Sequence, residues 1–316
     1  MKTMKKKMMA GVITLLSVAT LAACGNSSSD KDIVTMKGDT ITVNEFYNEI
    51  KNNNAAKQTL LQMTIENIFE SKYGKKVSDE DVQKSYDKST AQYGDQLAQA
   101  LAQSGLTPET YRKQIRTNML VEYAVKEEAK KTITDETTKA AYDAYTPEVT
   151  VQVIQMDAED KAKEVQEKAK NGEDFAGLAK ENSTDTATKD KAGEMKFDSA
   201  SSTLPTEVNK VVFGMEKDQV SDVIGVANPQ TGKTNYYIVK MINKSEKKAD
   251  WKEYKKRLEE IQLNAKLADP TYIRSVVAKE LQAANIKVKD QAFQDLFTQY
   301  IQSDAGTSSS SASSSK

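Results

Sequence analysis

The sequence predicts an α+β protein in which a compact strand-and-helix domain is inserted between the two parts of a helical domain. Apolar residues recur at helical spacing before residue 145 and again after residue 244. Between them, a strand-type alternation at 148–156 finds a returning partner at 235–242. Hydrophobic residues make up 38% of the 316, aromatics 7% and charged residues 29%, a balance that suits several solvated lobes better than one large core.

Residues 1–23 read as a secretion signal. Lys2, Lys5, Lys6 and Lys7 precede an apolar run from Met8 to Ala23 that is too short and wrongly flanked for a permanent membrane span. The sole cysteine follows directly, in Leu21-Ala22-Ala23-Cys24-Gly25. This resembles a bacterial lipobox, in which cleavage precedes the cysteine and the thiol carries diacylglycerol. A lone cysteine can also be a small core residue, but the small-residue end of an apolar segment is the wrong place for one. Acyl chains contribute about 0.8 kcal/mol per buried methylene, so several hold a soluble domain on a membrane where one barely does. Residues 24–32, containing Asn26-Ser27-Ser28-Ser29-Asp30, read as the lipidated, flexible tether.

Residues 33–145 form the first helical part. Ile33 to Val43 alternates around Lys37-Gly38-Asp39 as a hairpin, and Asn44 is placed to cap a helix over Glu45 to Lys51. Ala55 to Tyr73 carries Leu60, Leu61, Ile65, Ile68 and Phe69 ahead of a terminating Gly74. Ser78-Asp79-Glu80-Asp81 opens the next helix with acids in its first turn, which favour the helix dipole. Thr107-Pro108-Glu109 opens another, with Ile115, Met119, Leu120 and Tyr123 at core spacing.

Residues 146–244 form the inserted domain. Val149, Val151 and Val153 share one face of a strand over Glu148 to Met156. Ala158 to Lys170 is a helix stopped at Asn171-Gly172, Asp174 starts a second through Phe175 and Leu178, and Asn235 to Ile242 is the closing strand. Residues 245–302 complete the helical domain. Trp251, Tyr254, Leu258, Ile261 and Ala265 recur at three and four, and Pro270 opens a further helix after Asp269. The tail at 303–316, almost all Ser, Ala, Gly and Thr, buries too little to offset its ordering entropy and reads as disordered.

Composition excludes several functions. The chain has no histidine and one cysteine, which removes His/Cys metal centres, Ser-His-Asp and Cys-His catalysis, and any internal disulfide. No metal and no cofactor is called for. There are 45 Lys+Arg against 46 Asp+Glu, and removal of residues 1–23 leaves 41 against 46. That balance offers no basic footprint for nucleic acid.

The inserted domain carries a family resemblance. The run Asn171-Gly172-Glu173-Asp174-Phe175-Ala176-Gly177-Leu178-Ala179-Lys180-Glu181-Asn182-Ser183-Thr184-Asp185 resembles the signature of the parvulin class of peptidyl-prolyl cis-trans isomerases. Ala192-Gly193-Glu194-Met195 stands where that class has a Gly-Gly-acid-Leu turn, and Val211-Val212-Phe213 with Gln219-Val220-Ser221 matches its following helix and turn. With the lipobox, the hairpin start and the closing Ile286 to Phe297, the mature chain is similar to the PrsA-type foldase lipoproteins of Gram-positive bacteria. The resemblance implies a helical chaperone domain with an inserted parvulin-like domain, acting on unfolded or folding secreted proteins from the outer face of the cell membrane. The oligomeric state is open, a homodimer included.

The resemblance also implies a site, and the sequence departs from it there. Val153 and Tyr237 occupy the two positions where parvulins carry histidines. Asp185 keeps the place where the family has Cys or Asp and is the implied catalytic residue; read alone, it is equally a turn carboxylate. Leu204, Val208 and Phe213, with Val153 and Tyr237, are the implied proline-pocket residues, the alignment being loose near 203–208. Rotation about a prolyl amide must overcome ~18–20 kcal/mol without a covalent step, so a site acts by binding the twisted amide and tuning its polar partners. Loss of both histidines leaves an apolar groove without its usual polar pair.

The segment Gly225 to Thr234 resembles a phosphate loop only superficially. Six residues separate Gly225 from Gly232, and a strand follows instead of a helix, so it reads as a hairpin loop. Two functions remain: a foldase or chaperone with a weakened isomerase domain, and an active isomerase of Xaa-Pro bonds in exported chains. A solute-binding role would need doubled α/β lobes, which the pattern lacks.

Overall fold

The structure, a computed structural model, describes residues 31–229 and 231–301. The signal segment, Cys24 and the serine-rich tail lie outside the described residues. Two compact units form, one from the residues up to 62 with 288–296, the other from 63–287 with the residues after 296.

The first unit starts with β1 (Asp32–Met36) and β2 (Asp39–Thr42), an antiparallel hairpin with Val34 opposite Ile41. Gly38 supplies the positive φ of +89° that its tight turn needs. α1 (Val43–Ile50) follows without a loop. Its cap is Thr42 instead of the expected Asn44. Thr42 Oγ1 accepts from the Glu45 N–H at 3.2 Å, and Glu45 Oε2 accepts from the Thr42 N–H at 2.9 Å, a reciprocal box that starts the helix two residues early. Asn44 lies inside the helix and accepts from Asn48 Nδ2. On the far side of the sequence, Asp290 accepts the Tyr47 hydroxyl at 2.6 Å and Phe293 meets its ring at 6.3 Å.

α2 (Asn54–Tyr73) begins in the first unit and ends in the second, where α3 (Asp79–Tyr93), α4 (Asp95–Gln103), α5 (Pro108–Thr132) and α6 (Asp135–Ala144) follow. The expected starts at Ser78 and Thr107-Pro108 are present, each with a capping box. α4 and α6 were not expected. α4 is only nine residues long, with a stripe of two leucines, Leu97 and Leu101, after a glycine turn, and α6 buries only the polar Thr138, so neither carries a long apolar pattern.

The inserted domain has a four-stranded antiparallel sheet in the order β4-β3-β6-β5, with β3 at Val149–Met156, β4 at Glu194–Phe197, β5 at Ile224–Ala227 and β6 at Thr234–Lys244. α7 (Glu159–Lys170) and α8 (Phe175–Asn182) cover one face, where Ile154, Met156 and Ile238 pack on Val165, Phe175 and Leu178. α9 (Thr206–Gly214) covers the other, where Val149, Val151 and Val153 meet Val208 and Val212. Burial on both faces requires β3 to be nearly continuous in apolar residues past Val153. Part of β4 stands where the sequence predicts a turn, and the predicted loop from Gly225 to Thr234 is largely strand: Gly225, Val226 and Ala227 belong to β5 and Thr234 opens β6, with which they pair.

α10 (Lys255–Ala268) and α11 (Pro270–Ala283) return to the helical part and pack on α5 and α6. Glu280, buried on α11, accepts from Lys72 at 2.6 Å and from the Tyr73 hydroxyl at 2.8 Å. Lys279 reaches Glu128 on α5, and Gln262 on α10 donates to Thr138 on α6. Helices from both flanks of the insertion therefore share one packed body, joined by side chains 124–208 residues apart.

Candidate functional site

The pocket residues implied by the resemblance come together on one face of the sheet. Val153, Leu204, Val208 and Tyr237 are buried in a single apolar cluster, and Phe213 packs against it half-buried. Pairing of β3 with β6 sets Val153 opposite Val239 and Gln155 opposite Tyr237, so Val153 and Tyr237 are diagonal neighbours pointing to the same side.

Three devices hold this arrangement. Gly193 approaches Val153 so closely that a Cβ there would lie 2.4 Å from the Val153 carbonyl oxygen, while its own carbonyl accepts the Val153 N–H at 2.9 Å. Asn209 on α9 donates through Nδ2 to the carbonyls of Leu204 and Ser201, at 3.0 and 3.4 Å, and pins the Leu204 segment against the helix. Lys244 Nζ donates to the carbonyls of Phe213 and Met215, closing the C-terminus of α9. Phe213 in turn meets Phe197 edge-on at 5.8 Å.

Asp185 stands on the turn after α8. Ser183 and Thr184 fasten that turn to β3: Ser183 Oγ accepts the Gln155 N–H, and the Thr184 N–H and hydroxyl both donate to the Gln155 carbonyl. The half-buried Asp185 carboxylate is already engaged, by the Ala187 N–H at 3.0 Å and the Thr188 hydroxyl at 2.5 Å. Its charge reaches Tyr237: burial pushes the phenol up, Asn235 opposes this by hydrogen bonding, and the Asp185 carboxylate adds to the rise. Tyr237 is thus a neutral phenol at physiological pH, one rotatable hydroxyl at the edge of an otherwise hydrocarbon surface.

The sequence reading missed Met195, Ile224 and Val226, which pack against the same cluster. Their strands are short, and Met195 and Val226 lay in segments read as turn and loop. Among the described residues, no group of three or more Asp, Glu, Cys or His side chains is placed to hold a metal. Val153, Val208 and Tyr237 are packed into the core of the domain, so the half-buried Phe213 and the Asp185 turn are the parts of this set that solvent reaches.

Comparison with known proteins identifies the domain that carries these residues. Residues 144–243 match the family model described as a rotamase, PPIC-type PPIASE domain. A foldase protein PrsA from Streptococcus gordonii is 59% identical over 309 residues, 97% of this chain and 100% of that one. The chain belongs to the PrsA foldase family. A PrsA from Streptococcus pneumoniae is 52% identical over 98% of this chain and 99% of its own. Among solved structures, a PrsA crystal structure from Streptococcus pneumoniae superposes with a TM-score of 0.81 at 50% identity, covering 85% of this chain and 99% of that one. One from Lactococcus lactis gives 0.67 at 38%, covering 86% and 100%. As a PrsA foldase, the protein acts on folding substrate proteins, and its parvulin domain lies mid-chain.

Proposed function

We propose that this PrsA foldase is a lipid-anchored chaperone on the outer face of the cell membrane that assists secreted proteins after translocation, and that its parvulin domain isomerises prolyl bonds weakly or not at all. The observation that supports the weak turnover is the set of side chains at the site. Val153 and Tyr237 stand in its apolar cluster where the family has histidines, and the Asp185 carboxylate is spent on Ala187 and Thr188. Valine neither donates nor accepts a hydrogen bond, and a phenol has one hydroxyl in place of two ring nitrogens. Polar positioning and acid–base effects of such groups are worth ~10²–10⁴-fold. On this reading the domain binds Xaa-Pro segments through the apolar side chains around Phe213 and Leu204 without turning them over efficiently.

The anchor reading rests on Cys24 and the signal ahead of it. Cys24→Ala is expected to release the protein into the medium or to leave it uncleaved in the membrane, and normal processing and retention would refute it. The isomerase reading is tested by NMR exchange on an Ala-Pro peptide with the full chain. Exchange at or near the uncatalysed rate is expected; robust turnover that Asp185→Ala leaves undiminished would overturn it. An active isomerase is the second reading, favoured by the match of residues 144–243 to the rotamase family.

A further inference from the structure

The first unit exposes an apolar patch that the foldase reading does not use. Ile33, Val34, Met36, Ile41, Val43 and Phe46 are each 39–51% exposed. Val34 faces Ile41 across the hairpin and Met36 follows two residues along, so these three share one face. Val43 and Phe46 stand three apart on the first turn of α1 and share a side of it. The Val43 N–H donates to the Lys31 carbonyl at 2.8 Å, which ties that turn to the entrance of β1. Large apolar side chains left exposed this densely, six within fourteen residues, mark a place where something docks.

We propose that this patch rests on the lipid surface, as a second and non-covalent foothold beside the acylated Cys24. The proposal depends on the lipid-anchor reading. Lys31 is seven positions after Cys24, and even a fully extended chain spans only ~3.6 Å per residue, so the entrance of β1 stays within about 25 Å of the anchored residue. Confinement that close to a bilayer raises the effective concentration of lipid at the patch, and modest apolar burial then suffices. Charge opposes it little: with Lys289, Asp290 and Asp295 from 288–296, the described part of the first unit has five lysines against six acids. Over residues 31–62, Lys31, Lys37, Lys51 and Lys57 balance Asp32, Asp39, Glu45 and Glu49, whereas the chain from Cys24 onward is net acidic. The side chains would enter about 5–10 Å into the headgroup and acyl boundary.

The test uses the full lipidated protein, in which acylation of Cys24 leaves an introduced cysteine as the sole free thiol. Val34→Cys and, as a control on α3, Lys88→Cys are labelled with an environment-sensitive fluorophore. Each is reconstituted into phosphatidylglycerol–cardiolipin vesicles containing spin-labelled lipid. The Val34 probe is expected to shift to the blue and lose most of its emission to the quencher, while the Lys88 probe keeps its own. Met36→Asp with Phe46→Asp is expected to restore the Val34 emission while mass spectrometry still finds diacylated Cys24. An unquenched Val34 probe on diacylated protein overturns the proposal. So does a blue shift that is insensitive to lipid quencher and grows with protein concentration or with added unfolded protein, which would assign the patch to a second copy or to a client. An unmodified Cys24 overturns the anchor reading, and the proposal with it.

Discussion

Arg257 and Asp198 form a two-pronged ion pair, Nε to Oδ2 at 2.6 Å and Nη2 to Oδ1 at 3.1 Å. Asp198 lies just past β4 in the parvulin domain and Arg257 near the start of α10, so the pair fastens the inserted domain to the helical body that receives it. The Tyr145 hydroxyl donates to Asp198 Oδ2 at 3.1 Å, and Ser201 Oγ to Oδ1 at 2.9 Å. Every lone-pair direction of a buried carboxylate is thus used at the junction.

Arg257→Ala should destabilise the chain by about 2 kcal/mol, below the ~3–5 kcal/mol of a fully buried broken pair because the Arg257 side chain keeps 36% of its exposure. Burial by itself raises the Asp198 carboxyl, but hydrogen bonds from Arg257 and Ser201 and the guanidinium charge outweigh it and hold the group below the usual carboxylate value. A depressed pKa contributes stability that is complete above the unfolded value and fades as pH falls through the folded one. The urea-unfolding difference between wild type and Asp198→Asn should therefore be flat above about pH 5 and shrink below about pH 4.

Tyr145 carries the opposite dependence. Burial, and then the Asp198 charge, push its phenol up to about 12. Its neutral form is the one the fold accommodates, so its contribution is complete below about pH 10 and is lost as pH rises through the folded value. Across that alkaline window the stability advantage of wild type over Tyr145→Phe should decline, which equilibrium unfolding at stepped pH would measure.

Gly193→Ala should cost more than ~2 kcal/mol, since it adds a Cβ 2.4 Å from the Val153 carbonyl at a φ of +75°. Gly38→Ala, also at positive φ but in open space, should cost only the backbone strain of about 1–2 kcal/mol. Thermal melts of the two variants test this, and equal losses would show that the close approach to Val153 is unimportant.

Glu280→Ala should lower stability by about 1–2 kcal/mol, because it leaves the Tyr73 hydroxyl and Lys72 without their shared acceptor. Hydrogen exchange should rise at the ends of both α2 and α11. A response confined to α11 would mean that the flanking helices do not depend on one another there.

Val153→His with Tyr237→His should raise prolyl isomerisation above either single change, because the two positions are diagonal neighbours facing the same cluster. NMR exchange on an Ala-Pro peptide is the readout. An inactive double variant that remains folded would show that Asp185, held by Ala187 and Thr188, is not available to the restored pair.

Local signals in the sequence determined much of this protein. Ser78 and Thr107-Pro108 start α3 and α5 where their caps predict, because a cap satisfies backbone donors within three residues of itself. Val149, Val151 and Val153 announce the buried face of β3 by their alternation alone. Placement of the pocket set Val153, Leu204, Val208, Phe213 and Tyr237 in one cluster was legible through the family resemblance, since none of these residues carries a chemical signal of its own. Tertiary structure decided the rest. Thr42 displaced Asn44 as a cap because strand β2 delivers it already extended. The strands β4 and β5, four residues each, exist through hydrogen bonds to β3 and β6. α6 forms with a polar residue as its buried contact because α10 supplies Gln262 opposite Thr138. The clasp of Arg257 on Asp198 joins residues 59 apart, and no pattern within either segment marks them as partners. Periodicity and capping act over a few residues, so a sequence displays them directly; a buried charge finds its partner only after the chain has folded back, when desolvation makes pairing obligatory.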